Sequence, residues 1–226
     1  MTDWVTISSL ATAGGTLVLA VATFSSVKSG NRTARLAERS LLAGLRPVLI
    51  PSREQDPMER IRFGDGQILQ VPGHGGTVEE RDGVIFLAIA LRNGGDGLAV
   101  LHGWRARRRD VGVSGSRDAP ADAAPQLSEF REQLIDLYIP SGDNGYWLGA
   151  MRDRNQPGYE EVSSALADGA PIVVDLLYGD HEGGQRTIVR FVLADWPVDD
   201  DRAEMPEAAR RSTVLRYWNV DREDPR

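Results

Sequence analysis

The chain of 226 residues has no cysteine and a single lysine, Lys28. Without cysteine there are no disulfides, no thiolate nucleophile and no cysteine-ligated metal. Basic residues are outnumbered: the formal net charge is −7, which leaves nucleic-acid binding without its electrostatic footprint. Phosphate-loop and esterase signatures are missing as well. Gly94-Gly95-Asp96-Gly97 has neither the Lys-Ser/Thr pair nor a following helix. Gly73-His74-Gly75-Gly76 has no Gly-x-Ser-x-Gly elbow to pair with and reads as a hairpin tip. Beyond residue 46 no long helical pattern can be drawn.

What the chain does have is one uncharged run, from Trp4 to Val27. As a helix it is about 36 Å long, enough for a hydrocarbon core of about 30 Å with some tilt. Leu17, Val18, Leu19, Val21 and Phe24 give it apolar weight. Ser8, Ser9, Thr12, Thr16, Ser25 and Ser26 dilute it, although such hydroxyls bond back to the preceding turn. Trp4 stands where an interfacial aromatic belongs. Ala20-Val21-Ala22 resembles a cleavage site, but the segment ahead of Trp4 carries Asp3 and no Lys or Arg, unlike a signal peptide. The expectation is an uncleaved transmembrane helix over 4–27. Ala11/Gly15 and Thr12/Thr16 have the small-xxx-small spacing that lets two such helices approach closely.

The positive charge follows the run. By the positive-inside rule this places the N-terminus outside and the C-terminal domain in the cytoplasm, at the plasma membrane. Ser29-Gly30 is expected to loosen the helix, and a short amphipathic helix to occupy 28–45. On it Lys28, Arg32, Arg35, Arg39 and Arg46 fall within roughly a 60° arc. Such a stripe can lie against anionic lipid headgroups, each basic residue contributing about 1 kcal/mol. It can equally be an ordinary connector whose arginines only set topology.

From 46 to 226 the pattern is one of short apolar runs separated by Gly, Pro, Asp and Asn clusters. Strands are expected at 47–51, 60–63, 67–71, 84–92, 98–107, 134–139, 146–151, 171–178, 185–193 and 213–218. The run 84–91 is nearly continuous in apolar residues, as in a strand buried on both faces. Asp65-Gly66 suits a hairpin turn. Short helices are expected at 160–168 and 204–211, and 114–127 reads as a loop. Strands without alternating helices predict a mainly β domain, an antiparallel β-sandwich with an immunoglobulin-like arrangement as one option.

Two places offer chemistry. Asp180, His181 and Glu182 are ligand types for a divalent cation, or an acid–base set. The competing reading is a polar hairpin tip closed by Gly183-Gly184, with Arg186 paired to Asp175, Asp180 or Glu182. Tyr146 and Trp147 would form a recognition surface if exposed beside the 142–145 loop. Otherwise they join Trp104, Tyr178, Trp196 and Trp218 in the core. No cofactor and no bound metal is expected.

Several stretches resemble a family of single-span membrane-anchored proteins of high-GC bacteria with no established activity. They are Asn31-Arg32-x-Ala34-Arg35-x-Ala37-Glu38-Arg39-Ser40 with Leu45-Arg46-Pro47, and Leu91-Arg92-Asn93-x-Gly95-x-Gly97. The loop 175–186 and the terminal Tyr217-Trp218-Asn219-Val220-Asp221 belong with them. The resemblance implies one anchor plus a β-sandwich-like domain, and it carries no functional residues. The expected role is a membrane-tethered binding or scaffold module facing the cytoplasm. Its partners would be the anionic bilayer surface and a protein or a second copy of itself. The alternative is an enzyme or metal-binding protein using the loop around His181.

Overall fold

The computed structural model describes residues 4–109, 123–196 and 205–221. They form two separate compact units, divided between Gly44 and Leu45.

The first unit is one α-helix, α1, Trp4–Gly44. It passes through Ser29-Gly30 without a break, so the expected pair of helices is a single one. Thr23 and Thr33 each return a hydroxyl bond to the carbonyl four residues earlier, Leu19 at 2.8 Å and Ser29 at 3.1 Å. A hydroxyl so placed leaves the backbone helix intact, and one glycine costs a helix only about 1 kcal/mol. Every described side chain on α1 is exposed, including Leu17, Val18, Leu19, Val21 and Phe24. Among the described residues no helix is long and apolar enough to cross a membrane. The side chains of residues 4–12, which open the apolar run, lie outside the described set, as does that of Arg39.

The second unit is mainly β. Its strands are β1 (Leu49–Pro51), β2 (Glu59–Arg62), β3 (Ile68–Val71), β4 (Gly75–Arg81), β5 (Val84–Asn93), β6 (Ala99–Arg108), β7 (Arg131–Ile139), β8 (Asn144–Met151), β9 (Ile172–Gly179), β10 (Thr187–Ala194) and β11 (Ala209–Asn219). A helix, α2 (Tyr159–Ala167), lies between β8 and β9. All pairings are antiparallel. The main sheet runs β5-β4-β11-β10-β9-β6-β7, with β8 on the far edge of β5 and β1 continuing the edge that β4 begins. Its outermost strands, β7 and β8, are consecutive in the chain, so the sheet curls back on itself.

One face of the curled sheet encloses the main core. Ile85, Leu87, Ile89 and Leu91 of β5 point into it, with Val174, Leu176 and Tyr178 of β9 and Val189, Phe191 and Leu193 of β10. Tyr159, Val162 and Ala165, one helical turn apart, plug α2 into the same core. The alternate residues of β5, Phe86, Ala88 and Ala90, meet a second cluster of Ile61, Phe63, Leu69 and Val71. That cluster belongs to the β2–β3 hairpin, whose turn places Gly66 at φ 90° after Asp65. Burial on both faces is why β5 reads as unbroken apolar sequence; each fully buried Leu or Ile contributes about 2 kcal/mol.

Two expectations fail here, one of them in part. Residues 73–76 are a turn only in their first half: Gly73 and His74 link β3 to β4, with the Gly75 N–H donating to the Pro72 carbonyl at 3.1 Å, whereas Gly75 opens β4 and a Cβ on Gly76 would sit 2.8 Å from the Ala88 carbonyl oxygen. The expected helix at 204–211 is instead the lead into β11, which starts at Ala209. Residue 204 itself, and residues 114–122 of the expected loop, lie outside the described residues.

Candidate functional site

The chain enters the β unit through a clamp built on Asn93. This side chain is fully buried at the end of β5. Its Oδ1 accepts from the backbone N–H groups of Val48 (3.1 Å) and Gly95 (3.0 Å), and its Nδ2 donates to the carbonyls of Gly97 (2.6 Å) and Ile139 (3.0 Å). A Cβ on Gly95 would run into the Arg46 carbonyl oxygen, and one on Gly97 into that of Leu45. The glycines of this loop let it close over residues 45–48. The backbone of Leu49 then meets two phenols: its N–H donates to the Tyr178 oxygen at 3.4 Å, and its carbonyl accepts from Tyr217 at 2.8 Å. Burial pushes the Tyr217 hydroxyl up to about 12.

Arg46 belongs to this clamp and not to the helical stripe. It lies past the end of α1, half-buried, and its guanidinium donates to the Asn219 side chain. Lys28, Arg32 and Arg35 remain on α1, exposed. The expected five-residue arc therefore loses its last member.

The loop between β9 and β10 resolves into a self-contained turn. Asp180 is buried and points inward: Oδ1 accepts from the N–H groups of Glu182 (3.1 Å) and Gly184 (2.8 Å), and Oδ2 from the Gln185 side chain (3.3 Å). His181 and Glu182 point out into solvent, 4.0 Å apart. The three side chains do not converge, and no cluster of three metal-ligating groups occurs among the described residues. Arg186 pairs with none of its expected partners; it makes a two-pronged pair with Asp221, Nη2 at 2.7 Å from Oδ1. Asp175 is held by Arg190 (Nε 2.7 Å, Nη2 3.0 Å) and by Arg105 (Nε 2.7 Å) on the neighbouring strands. Arg190 also lies over the Trp218 ring, 4.6 Å from its centre. This is a buried ion-pair group of the sheet, and its residues are cross-strand neighbours.

Trp147 is 0% exposed, against Trp104 at a ring separation of 5.3 Å. It is core and forms no part of a surface. Tyr146, one residue earlier on the opposite face of β8, is partly exposed.

Sequence reasoning missed the surface that does stand out. β7 pairs with β6 at Leu137–Leu101 and again at Glu132–Gly103. Between those pairs β6 has only His102, whereas β7 has Gln133, Leu134, Ile135 and Asp136. The surplus is thrown outward. Leu134 is 95% exposed, with Ile135 and Tyr138 about half exposed beside it. Gln133 pins the base: its Oε1 accepts from the Trp147 indole N–H at 3.1 Å, and its Nε2 donates to the Leu148 carbonyl at 3.2 Å. An amide side chain thus bridges β7 to β8 where no ladder joins them. In sequence the excursion looks like a normal strand, and only the register against β6 exposes it.

His102 is the unpaired residue of β6 opposite this excursion, and it is the extra residue against β9 also. Its Nε2 is buried with no hydrogen-bond partner among the described residues. Burial, and then the nearby Arg186, hold the imidazole below its usual range, while Asp180 opposes them.

No protein-family model, curated protein or solved structure matches this chain.

Proposed function

We propose that the chain is a membrane-tethered binding module. In this reading the apolar half of α1 is a single-span anchor in the plasma membrane, with the N-terminus outside. The curled sheet is a β-sandwich-like domain on the cytoplasmic face that engages a protein partner. The observation that carries the binding role is Leu134, an almost fully exposed leucine on an outermost strand. Its neighbours Ile135 and Tyr138 make the patch continuous, and monomeric surfaces seldom leave such groups clustered without a use. Support for the anchor comes from the uninterrupted helix with its charges confined to one end, Lys28 onward.

Crosslinked pull-down from native membranes tests the binding role. The wild-type chain is expected to capture a discrete partner that Leu134→Ser with Ile135→Ser loses, while Tyr146→Ser retains it. Equal capture by all three chains would remove the excursion from the reading. Orientation is read by single-cysteine labelling in intact cells, clean in a chain without cysteine. An impermeant reagent is expected to spare Asp221→Cys until the membrane is opened; labelling of intact cells would put the domain outside.

A further inference from the structure

His102 occupies a niche that the backbone leaves for it. A Cβ on Gly179 would lie 3.0 Å from its Nε2 and 3.4 Å from Cγ of Arg186. The Gly184 carbonyl oxygen would be nearer still, at 2.7 Å, so glycine at 179 leaves room for both the loop backbone and the ring. The ring nitrogen there has no acceptor to receive a proton's hydrogen bond. The charged groups that act on it come from one side. The β9–β10 loop contributes Arg186 and Asp180, and the Asp180 oxygens are already engaged by Glu182, Gly184 and Gln185. On β7, Glu132 and Asp136 stand at either end of the register gap in the ladder. Arg186 in turn fixes the end of β11. Its backbone N–H and guanidinium both donate to Asp221, and its carbonyl accepts from Val220 N–H at 2.9 Å.

We propose that His102 is an acid-sensitive latch, whose protonation loosens Arg186 and with it the 180–186 loop and the end of β11. A neutral imidazole fits, because an unprotonated Nε2 makes no demand for an acceptor. The imidazolium places a donor where nothing accepts it and a second cation beside a guanidinium. Both effects disfavour the closed arrangement. The folded state therefore holds fewer protons than the unfolded state at this residue. The latch is fully closed above the ordinary imidazole value of about 6.5 and weakens as the pH falls below it.

The test uses the full chain in detergent micelles. Nuclear magnetic resonance follows the rings of His74, His102 and His181 together with amide-exchange protection factors. His102 is expected to titrate below the ordinary imidazole value of about 6.5. Protection at Gly184, Arg186 and Val220 is expected to fall severalfold between about pH 7.5 and about pH 5.5, while Gly94 and Gly95 at the Asn93 clamp hold theirs. In His102→Gln the fall disappears. A His102 ring that titrates at or above about 6.5, or an equal loss of protection in His102→Gln, overturns the proposal. Should His102→Gln not fold, Arg186→Gln is read instead. It is expected to raise the His102 midpoint toward the ordinary imidazole value, and an unmoved midpoint counts against the latch.

Discussion

At the scale of single residues, the β unit depends on polar side chains with no freedom left. Asn93 makes four hydrogen bonds to backbone groups from three parts of the chain. Asn93→Ala strands buried donors and acceptors, each worth about 1–3 kcal/mol. The expected loss is about 3 kcal/mol in urea unfolding, against a change near zero for Asn155→Ala on the exposed 153–156 turn. Tyr217 gives a prediction in pH. Its folded value near 12 lies above the ordinary phenol value of about 10. The unfolded chain therefore gives up that proton first as pH rises. The stability that Tyr217 contributes is complete below about pH 10 and is lost as the pH climbs through 12. Thermal midpoints across that window should decline more steeply in wild type than in Tyr217→Phe.

At the scale of elements, the contrast is between β5 and β7. Strand β5 is buried on both faces, and Leu87→Ala is expected to cost about 2–5 kcal/mol. Strand β7 carries its excursion outside the fold, so Leu134→Ser with Ile135→Ser should stay within about 0.5 kcal/mol of wild type. Equal destabilisation of the two, by urea midpoint, would mean that the excursion packs against something. The same contrast shows how far a sequence reading reaches. Strand β5 was legible because a doubly buried strand writes its environment into every residue. The Asp65-Gly66 turn was legible because a positive φ selects glycine. Strand β4 was hidden, since its glycines serve close packing against β5 and imitate a loop. The β7 excursion was hidden too, because Leu-Ile-Asp-Leu is ordinary strand composition and register is a relation between two strands. The Asp180 loop was half legible: its turn chemistry was foreseen, whereas the Arg186–Asp221 pair joins residues far apart in the chain.

At the scale of the whole molecule, the continuity of α1 changes what the basic residues can do. A break at Ser29-Gly30 would have let a second helix lie flat on headgroups. If, as proposed, the apolar run crosses a bilayer, an unbroken helix stands successive basic residues at successive heights. Arg35 is about 10 Å farther along the axis than Lys28, and Gly44 about 24 Å farther. The electrostatic reach of a charged surface is about 8 Å at physiological salt. Lys28 and Arg32 then lie within that reach and Arg35 beyond it. Single cysteines at Val27→Cys, Asn31→Cys and Glu38→Cys, spin-labelled in vesicles, distinguish the two geometries. An upright helix gives access to a water-soluble relaxant that rises steadily along the three sites. A helix lying flat gives nearly equal access at the three sites, which lie within about 40° of one another around the axis. The membrane would then meet the stripe as a graduated scale, in which each arginine feels less of the surface than the one before it.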